Sequence, residues 1–289
     1  MNLQDCDSGT DVRRKELEDV ELKLLLDGIF EVYGFDFRDY AMSTLKRRIR
    51  NFLEAQELET ISDLQNKILH DSEIMEKLLL ILSVHFTSMY RDPNFYMTFR
   101  TKVVPMLKTY PFVRIWHAGC STGQEVFSMA ILLREEGIYE KSRIYATDMN
   151  EQVLKGAKDG IFPLSGMQEN SRNYIDSGGK REFSDYYTVR YDHARFDPSL
   201  LQHVVFAQHN LVTDSGFNEF NVIVCRNVLI YFNRALQNRV HKVFYENLCY
   251  LGCLCLGTRE TVDFTPHELD YRQVELNEKI YQKIHATTL

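Results

Sequence analysis

The chain has 289 residues, with 34 Lys+Arg against 41 Asp+Glu and a formal net charge of −7. Charged residues at 26% and aromatics at 12% describe ordinary globular material, long enough for one large or two modest domains. The acidic balance argues against a general nucleic-acid binder, and no apolar run approaches the roughly 18 residues needed to span a bilayer.

The N-terminus, M-N-L-Q-D-C-D-S-G-T-D, is polar and acidic rather than signal-like, so a cytoplasmic location without membrane insertion is expected. Of the six cysteines, Cys249, Cys253 and Cys255 form C-x3-C-x-C at a helix-to-strand junction and read as buried free thiols. The nine histidines show no ligand spacing, so no metal is expected.

Residues 1–11 are expected to form a disordered tail. Residues 12–84 read as an all-helical domain. Leu17, Val20, Leu24, Ile29 and Tyr33 recur at helical spacing over about residues 11–33, closed by Gly34. Further helices are expected at about 40–55, at 62–69 with Ser62 as N-cap, and at 72–82 with Ile74, Leu78, Leu79 and Ile81 facing a core. The second carries L-K-R-R-I-R-N-F, placing Lys46, Arg47, Arg48 and Arg50 within one and a half turns. These charges suit either a solvated face or a docking surface that steers an acidic partner.

Residues 85–112 read as a linker helix and cleft-lining junction. Asp92-Pro93 looks like an N-cap followed by proline at the first helical position, with Thr87 and Arg91 upstream. From residue 113 strands alternate with helices. Strands are expected at 113–117, 143–147, 204–207, 222–225, 251–256 and 279–284, and helices at about 124–136, 151–158 and 234–250. This is an α/β domain with a mostly parallel sheet over residues 113–289. The alternation breaks down at about 163–203, where a small β subdomain insertion or a long surface excursion would fit.

Residues 113–128, V-R-I-W-H-A-G-C-S-T-G-Q-E-V-F-S, form a strand, a glycine turn and a helix. Gly119 and Gly123 give G-x-x-x-G without the third glycine of a dinucleotide fingerprint, which disfavours NAD and FAD. A nucleoside-type ligand without phosphates remains, S-adenosylmethionine being the common case. Asp148 ends the next strand about 25 residues beyond the turn, suited to accept hydrogen bonds from ribose hydroxyls, while Asn150 is the better helix cap. Arg226-Asn227 and Asn210-Leu211 follow two later strands. Four strand ends therefore point glycine or polar residues at one crevice.

Four segments carry a family resemblance: T-x-x-x-R-D-P at 87–93, G-C-S-T-G-Q-E-V-F-S at 119–128, A-T-D at 146–148 and C-R-N-V-L-I-Y-F at 225–232. With these, the chain resembles the CheR-type chemotaxis receptor methyltransferases over nearly its whole length. The resemblance implies a Rossmann-like methyltransferase sheet with a β subdomain insertion, preceded by an all-helical N-terminal domain. It implies S-adenosyl-L-methionine as cofactor, S-adenosyl-L-homocysteine as product, and methyl transfer to glutamate carboxylates in the cytoplasmic domain of a chemoreceptor. It also implies cofactor contacts at Thr87, Arg91, Gly119, Glu125, Asp148, Asn210, Leu211, Arg226 and Asn227, with Arg91 and Tyr231 at the reacting centre.

The basic helix corresponds to the family's substrate-docking helix, and the β insertion to a subdomain that some members use to tether a receptor tail. His85 stands where the family has Asn, near the methionine end of the cofactor, and Gln124 replaces the first acid of S-T-G-E-E. A monomer is the default expectation. The competing readings are a methyltransferase with another acceptor, a weakly catalytic cofactor-binding scaffold and, more distantly, a nicotinamide oxidoreductase.

Overall fold

The computed structural model describes residues 5–83, 87–214, 216, 218–275 and 277–285. The chain divides into two compact units, Met1–Val84 with Tyr231–Leu236, and His85–Ile230 with Gln237–Leu289.

The smaller unit contains α1 (Asp5–Tyr33), α2 (Met42–Ala55), α3 (Ile61–His70) and α4 (Ser72–Leu82). Helix α1 begins at Asp5, so residues 5–11 are helical rather than a disordered tail. Its buried residues are Leu22, Leu25, Leu26 and Ile29. Leu17, Val20 and Leu24, expected on the core side, are 51–59% exposed. The helix has two apolar stripes; the closer-spaced one is buried, and the helix packs chiefly against α3.

One cap and one buried face also differ from expectation. Thr60, not Ser62, caps α3 through a reciprocal box with Asp63, and Ser62 bonds Glu21 instead. In α4 the buried face is Met75, Leu78, Leu79 and Leu82, with Ile81 exposed. Residues 231–236 join this unit: Ala41 N–H donates to the Tyr231 carbonyl at 2.8 Å, and Asn233 N–H to that of Asp39 at 2.8 Å.

The larger unit opens with α5 (Pro93–Thr98), a π-helical turn at Phe99–Val103 and α6 (Val104–Leu107). Pro105 has no N–H to continue the regular ladder, and Val104 N–H bonds Phe99 five residues back. Strands β1 (Val113–Ala118) and β2 (Ser142–Asp148) flank α7 (Gln124–Glu135), and α8 (Glu151–Asp159) follows. The insertion comprises β3 (Ile161–Pro163), α9 (Met167–Asp176), β4 (Tyr187–Arg190) and β5 (His193–Phe196). It contains a three-stranded antiparallel sheet in the order β3-β5-β4, with a helix that hydropathy did not reveal.

β6 (Val204–Gln208), β7 (Phe220–Cys225), α10 (Arg234–Asn247), β8 (Leu248–Leu256), β9 (Tyr271–Glu275) and β10 (Ile280–Lys283) complete the chain. The main sheet has seven strands in the order β6-β2-β1-β7-β8-β10-β9. All pairs among the first five are parallel, and β10 enters antiparallel between β8 and β9. Strand order reverses between β1 and β7, the switch point where such sheets open a ligand crevice at their carboxyl ends.

Among the described residues no helix is long and apolar enough to cross a membrane, and no His, Cys, Asp and Glu cluster could hold a metal. Cys120, Cys225, Cys253 and Cys255 are buried free thiols, and Cys249 is free and half-buried.

Candidate active site

At the carboxyl ends of β2, β1, β7 and β8, neighbouring loops are tied to one another by side chains. After β1 the backbone turns through Gly119, whose N–H and that of Cys120 both donate to the Thr147 carbonyl at 2.8 Å. Gly119 has φ +77°, and a Cβ there would stand 2.7 Å from Val228 Cγ2. Glycine is therefore required twice: for the left-handed backbone and for the approach of the loop after β7. Gly123, at φ +91°, similarly makes room for Ala157 of α8.

Asp148 is 8% exposed at the end of β2. It accepts from Ser121 N–H at 2.9 Å and Asn150 N–H at 3.0 Å, which fastens the β2 end to the glycine turn. Asn150 caps α8 by accepting from Gln152 and Val153 N–H, as its position suggested.

Glu125, in the first turn of α7, meets two partners from different strands. His117 Nδ1 lies 3.0 Å from Oε1, and Arg226 Nη1 donates to Oε2 at 2.9 Å. Arg226 Nη2 donates to Asp92 Oδ2 at 2.7 Å and to the Arg91 carbonyl at 3.1 Å, with the guanidinium 4.2 Å from the Phe95 ring centroid. Burial alone would push the Glu125 carboxyl up; His117 and Arg226 outweigh it and hold it below the usual carboxylate range. One buried cation thus serves two acids on separate segments. Asp92 makes no side-chain cap for α5, because its backbone is left-handed (φ 57°) and its carboxylate goes to Arg226, while Pro93 opens the helix as expected.

Residues 87–92 are anchored on both flanks. Met89 N–H donates to Asn170 Oδ1 and Tyr90 N–H to Ser128 Oγ, both at 3.0 Å. This fixes the backbone of Arg91, while Thr87 is half-buried ahead of it. His85 lies outside the described residues. Asn210 closes the turn after β6, its Oδ1 accepting from Val212 N–H at 3.0 Å, and Leu211 is buried. Gln124 accepts a hydrogen bond from Thr122 Oγ at 2.6 Å inside the turn, a contact that an amide oxygen makes as well as a carboxylate would.

Gly119, Glu125, Asp148, Arg226 and Asn227 therefore belong to one linked set of loops, joined by Arg91 through its carbonyl. Tyr231 belongs to the helical unit, where Arg48 lies over its ring at 4.8 Å. The four basic residues of α2 divide. Arg50 makes two bonds to Glu18 at 2.7 and 2.6 Å, Lys46 pairs with Asp19, and Arg48 also donates to the Leu82 carbonyl. Arg47 is exposed, with no ion pair among the described residues.

Sequence reasoning missed two members of the site. His117 is an ionisable residue inside an otherwise apolar strand, fully buried against Glu125. Glu260 follows β8 and accepts hydrogen bonds from Asn227, Val228 and Leu229 N–H. Both stand near the carboxyl end of a parallel strand, the position that drew attention to Asp148.

Two domain families match, described as CheR methyltransferase, SAM binding domain, over residues 85–280, and CheR methyltransferase, all-alpha domain, over residues 20–82. The chain is 45% identical to a protein of Pseudomonas putida named Cher3, over 92% of this chain and 97% of that one. It is 27% identical to a chemotaxis protein methyltransferase of Listeria monocytogenes, over 86% of this chain and 92% of that one. Among solved structures, the N-methyltransferase NodS of Bradyrhizobium japonicum in complex with S-adenosyl-L-homocysteine matches with a TM-score of 0.34 at 13% identity. That match covers 68% of this chain and 70% of that one.

Proposed function

The chain belongs to the CheR methyltransferase family, and from that premise we propose that it methylates glutamate side chains of a chemoreceptor's cytoplasmic domain, so setting receptor adaptation. It is an S-adenosylmethionine-dependent methyltransferase. The observation that best supports the reading is the buried Arg226 that joins Glu125 of α7 to Asp92 of the segment carrying Arg91.

The residues fit the cofactor. The glycine turn provides no pyrophosphate cradle, Asp148 would accept from the ribose hydroxyls, and Glu125 is held ionised, suited to an ammonium group. Thr87, Asn210, Leu211 and Asn227 would complete the contacts, and Arg226 would act mainly by fixing Glu125 and Asp92. When bound, the cofactor supplies a methyl carbon activated by a sulfonium. An acceptor glutamate is ionised at neutral pH, so no general base is needed. The protein's part is to orient the acceptor oxygen and exclude water. Arg91 would orient the acceptor or cofactor carboxylate, and Tyr231 would hydrogen-bond the acceptor.

Asp148→Asn removes the negative charge of the proposed ribose site and replaces one acceptor oxygen by a donor NH2. It is expected to weaken S-adenosylhomocysteine binding about 10- to 100-fold, the loss of charge-assisted hydrogen bonds, in titration calorimetry. The acceptor is tested by labelled-methyl transfer onto a purified chemoreceptor cytoplasmic fragment. Transfer is expected; a protein that binds the cofactor but leaves the fragment unlabelled would point to a different acceptor. The pairing of Lys46 and Arg50 within the helical unit favours that second reading, because it leaves less free positive charge on α2 than the sequence suggested.

The same fragment assay in a cytoplasmic extract tests location and partner together. Label should appear on the receptor there.

A further inference from the structure

The loop after β7 carries Arg226 and Asn227; the Arg226 side chain ties its start to Glu125 and Asp92, and Gln237 Nε2 donates to the Leu229 carbonyl at 2.9 Å. Asn227 has a left-handed backbone (φ 62°), an uncommon conformation for a residue other than glycine. The loop's N–H groups face a single side chain. Glu260 Oε1 accepts from Val228 at 2.8 Å, Leu229 at 2.7 Å and, more weakly, Ile230 at 3.4 Å. Its Oε2 accepts from Asn227 at 3.0 Å and Gly257 at 2.6 Å. Glu260 is 4% exposed.

An ionised carboxylate is acceptor-only and can serve several donors at once, which a neutral amide of the same shape cannot. The four loop donors would otherwise be largely buried orphans, at a cost that native backbones avoid. Gly257 shows how tightly this contact is made: a Cβ there would lie 2.8 Å from both Asn227 N and Glu260 Oε2. The loop is also pressed from the other side, where Val228 fills the space that Gly119 leaves.

We infer that Glu260 is a positioning residue for cofactor binding, fixing the Asn227–Ile230 backbone so that the crevice at the β1/β7 switch point is preformed. It acts through the loop and touches no reacting atom. Four consecutive N–H groups of the loop share this one carboxylate, so its loss raises the cost of ordering the site rather than changing the chemistry.

The inference rests on the cofactor site described under Proposed function. Glu260→Gln keeps the shape but replaces one acceptor oxygen by an NH2 that opposes the loop's N–H groups. It is expected to weaken S-adenosylhomocysteine binding about 10- to 100-fold, well below the unfolding temperature of the variant. KM for the cofactor should rise by a similar factor while kcat at saturating cofactor stays within about twofold. General destabilisation would instead lower kcat through loss of active protein.

Asn227→Ala runs alongside as the control for the site itself. If Asn227→Ala binds normally, the cofactor placement fails; if it binds weakly while folded Glu260→Gln binds normally, this inference alone is overturned. Should Glu260→Gln not fold, Gly257→Ala wedges the same contact open with the carboxylate retained. Weakened binding by that variant supports the inference, and unchanged binding overturns it.

Discussion

Arg226→Met is expected to lower folding stability by about 3–5 kcal/mol in denaturant unfolding at neutral pH, and to abolish measurable methyl transfer. The side chain is 2% exposed and lies between Glu125 and Asp92, whose own exposures are 17% and 36%. Methionine fills the space over Phe95 but leaves a largely buried carboxylate with only His117 beside it. The pH dependence has a definite sign. In the parent, Glu125 is held below its unfolded value, so its contribution is present above the ordinary carboxylate range and fades only as pH falls through that depressed value.

Without Arg226 the balance shifts toward burial, which favours the protonated acid. The deficit of Arg226→Met should therefore be largest near pH 7 and shrink as the solution is acidified to about pH 4. A deficit that grows on acidification would contradict the charge assignment.

Arg91→Ala is expected to reduce kcat/KM about 10²- to 10³-fold, corresponding to the loss of one charge-assisted contact in a dry site. Arg226 binds the Arg91 backbone carbonyl. The alanine variant keeps that bond, as well as the anchors at Met89 and Tyr90 on the preceding turn. Near-parental turnover in a steady-state assay would remove Arg91 from the reacting centre. A drop in turnover accompanied by a large loss of stability would show that the side chain holds the junction together instead.

The parallel core of the fold was legible because its inner strands are dominated by apolar residues bounded by turn signals. V-I-V-C before Arg226 and the terminal A-T-D of β2 mark both the strand and the residue that leaves its carboxyl end. Edge strand β9, Y-R-Q-V-E, has too few apolar positions to stand out, and it pairs only with β10. Helix α1 shows a different limit. Periodicity finds a helix with two apolar stripes, but which one is buried depends on its tertiary neighbour α3.

Asp148 and Arg226 were picked out because each stands where a strand ends. Their partners were not, since Arg226 reaches Glu125 across 101 residues and Asn233 reaches Asp39 across 194. The same contacts explain why four adjacent charges on α2 do not make one uniform docking face. Two of them face the acids Glu18 and Asp19 of α1, and a third lies over an aromatic ring. Exposed pairs of this kind contribute little to stability, so a partner of sufficient negative charge can still displace them.

The atom that accepts the methyl group can be read directly. A chemoreceptor cytoplasmic fragment incubated with the protein and labelled S-adenosylmethionine can be digested and its methylated peptides sequenced by mass spectrometry. Label is expected on glutamate side chains, as an ester released by mild alkali. Label resistant to alkali, or carried by nitrogen or sulfur of other side chains, would contradict it.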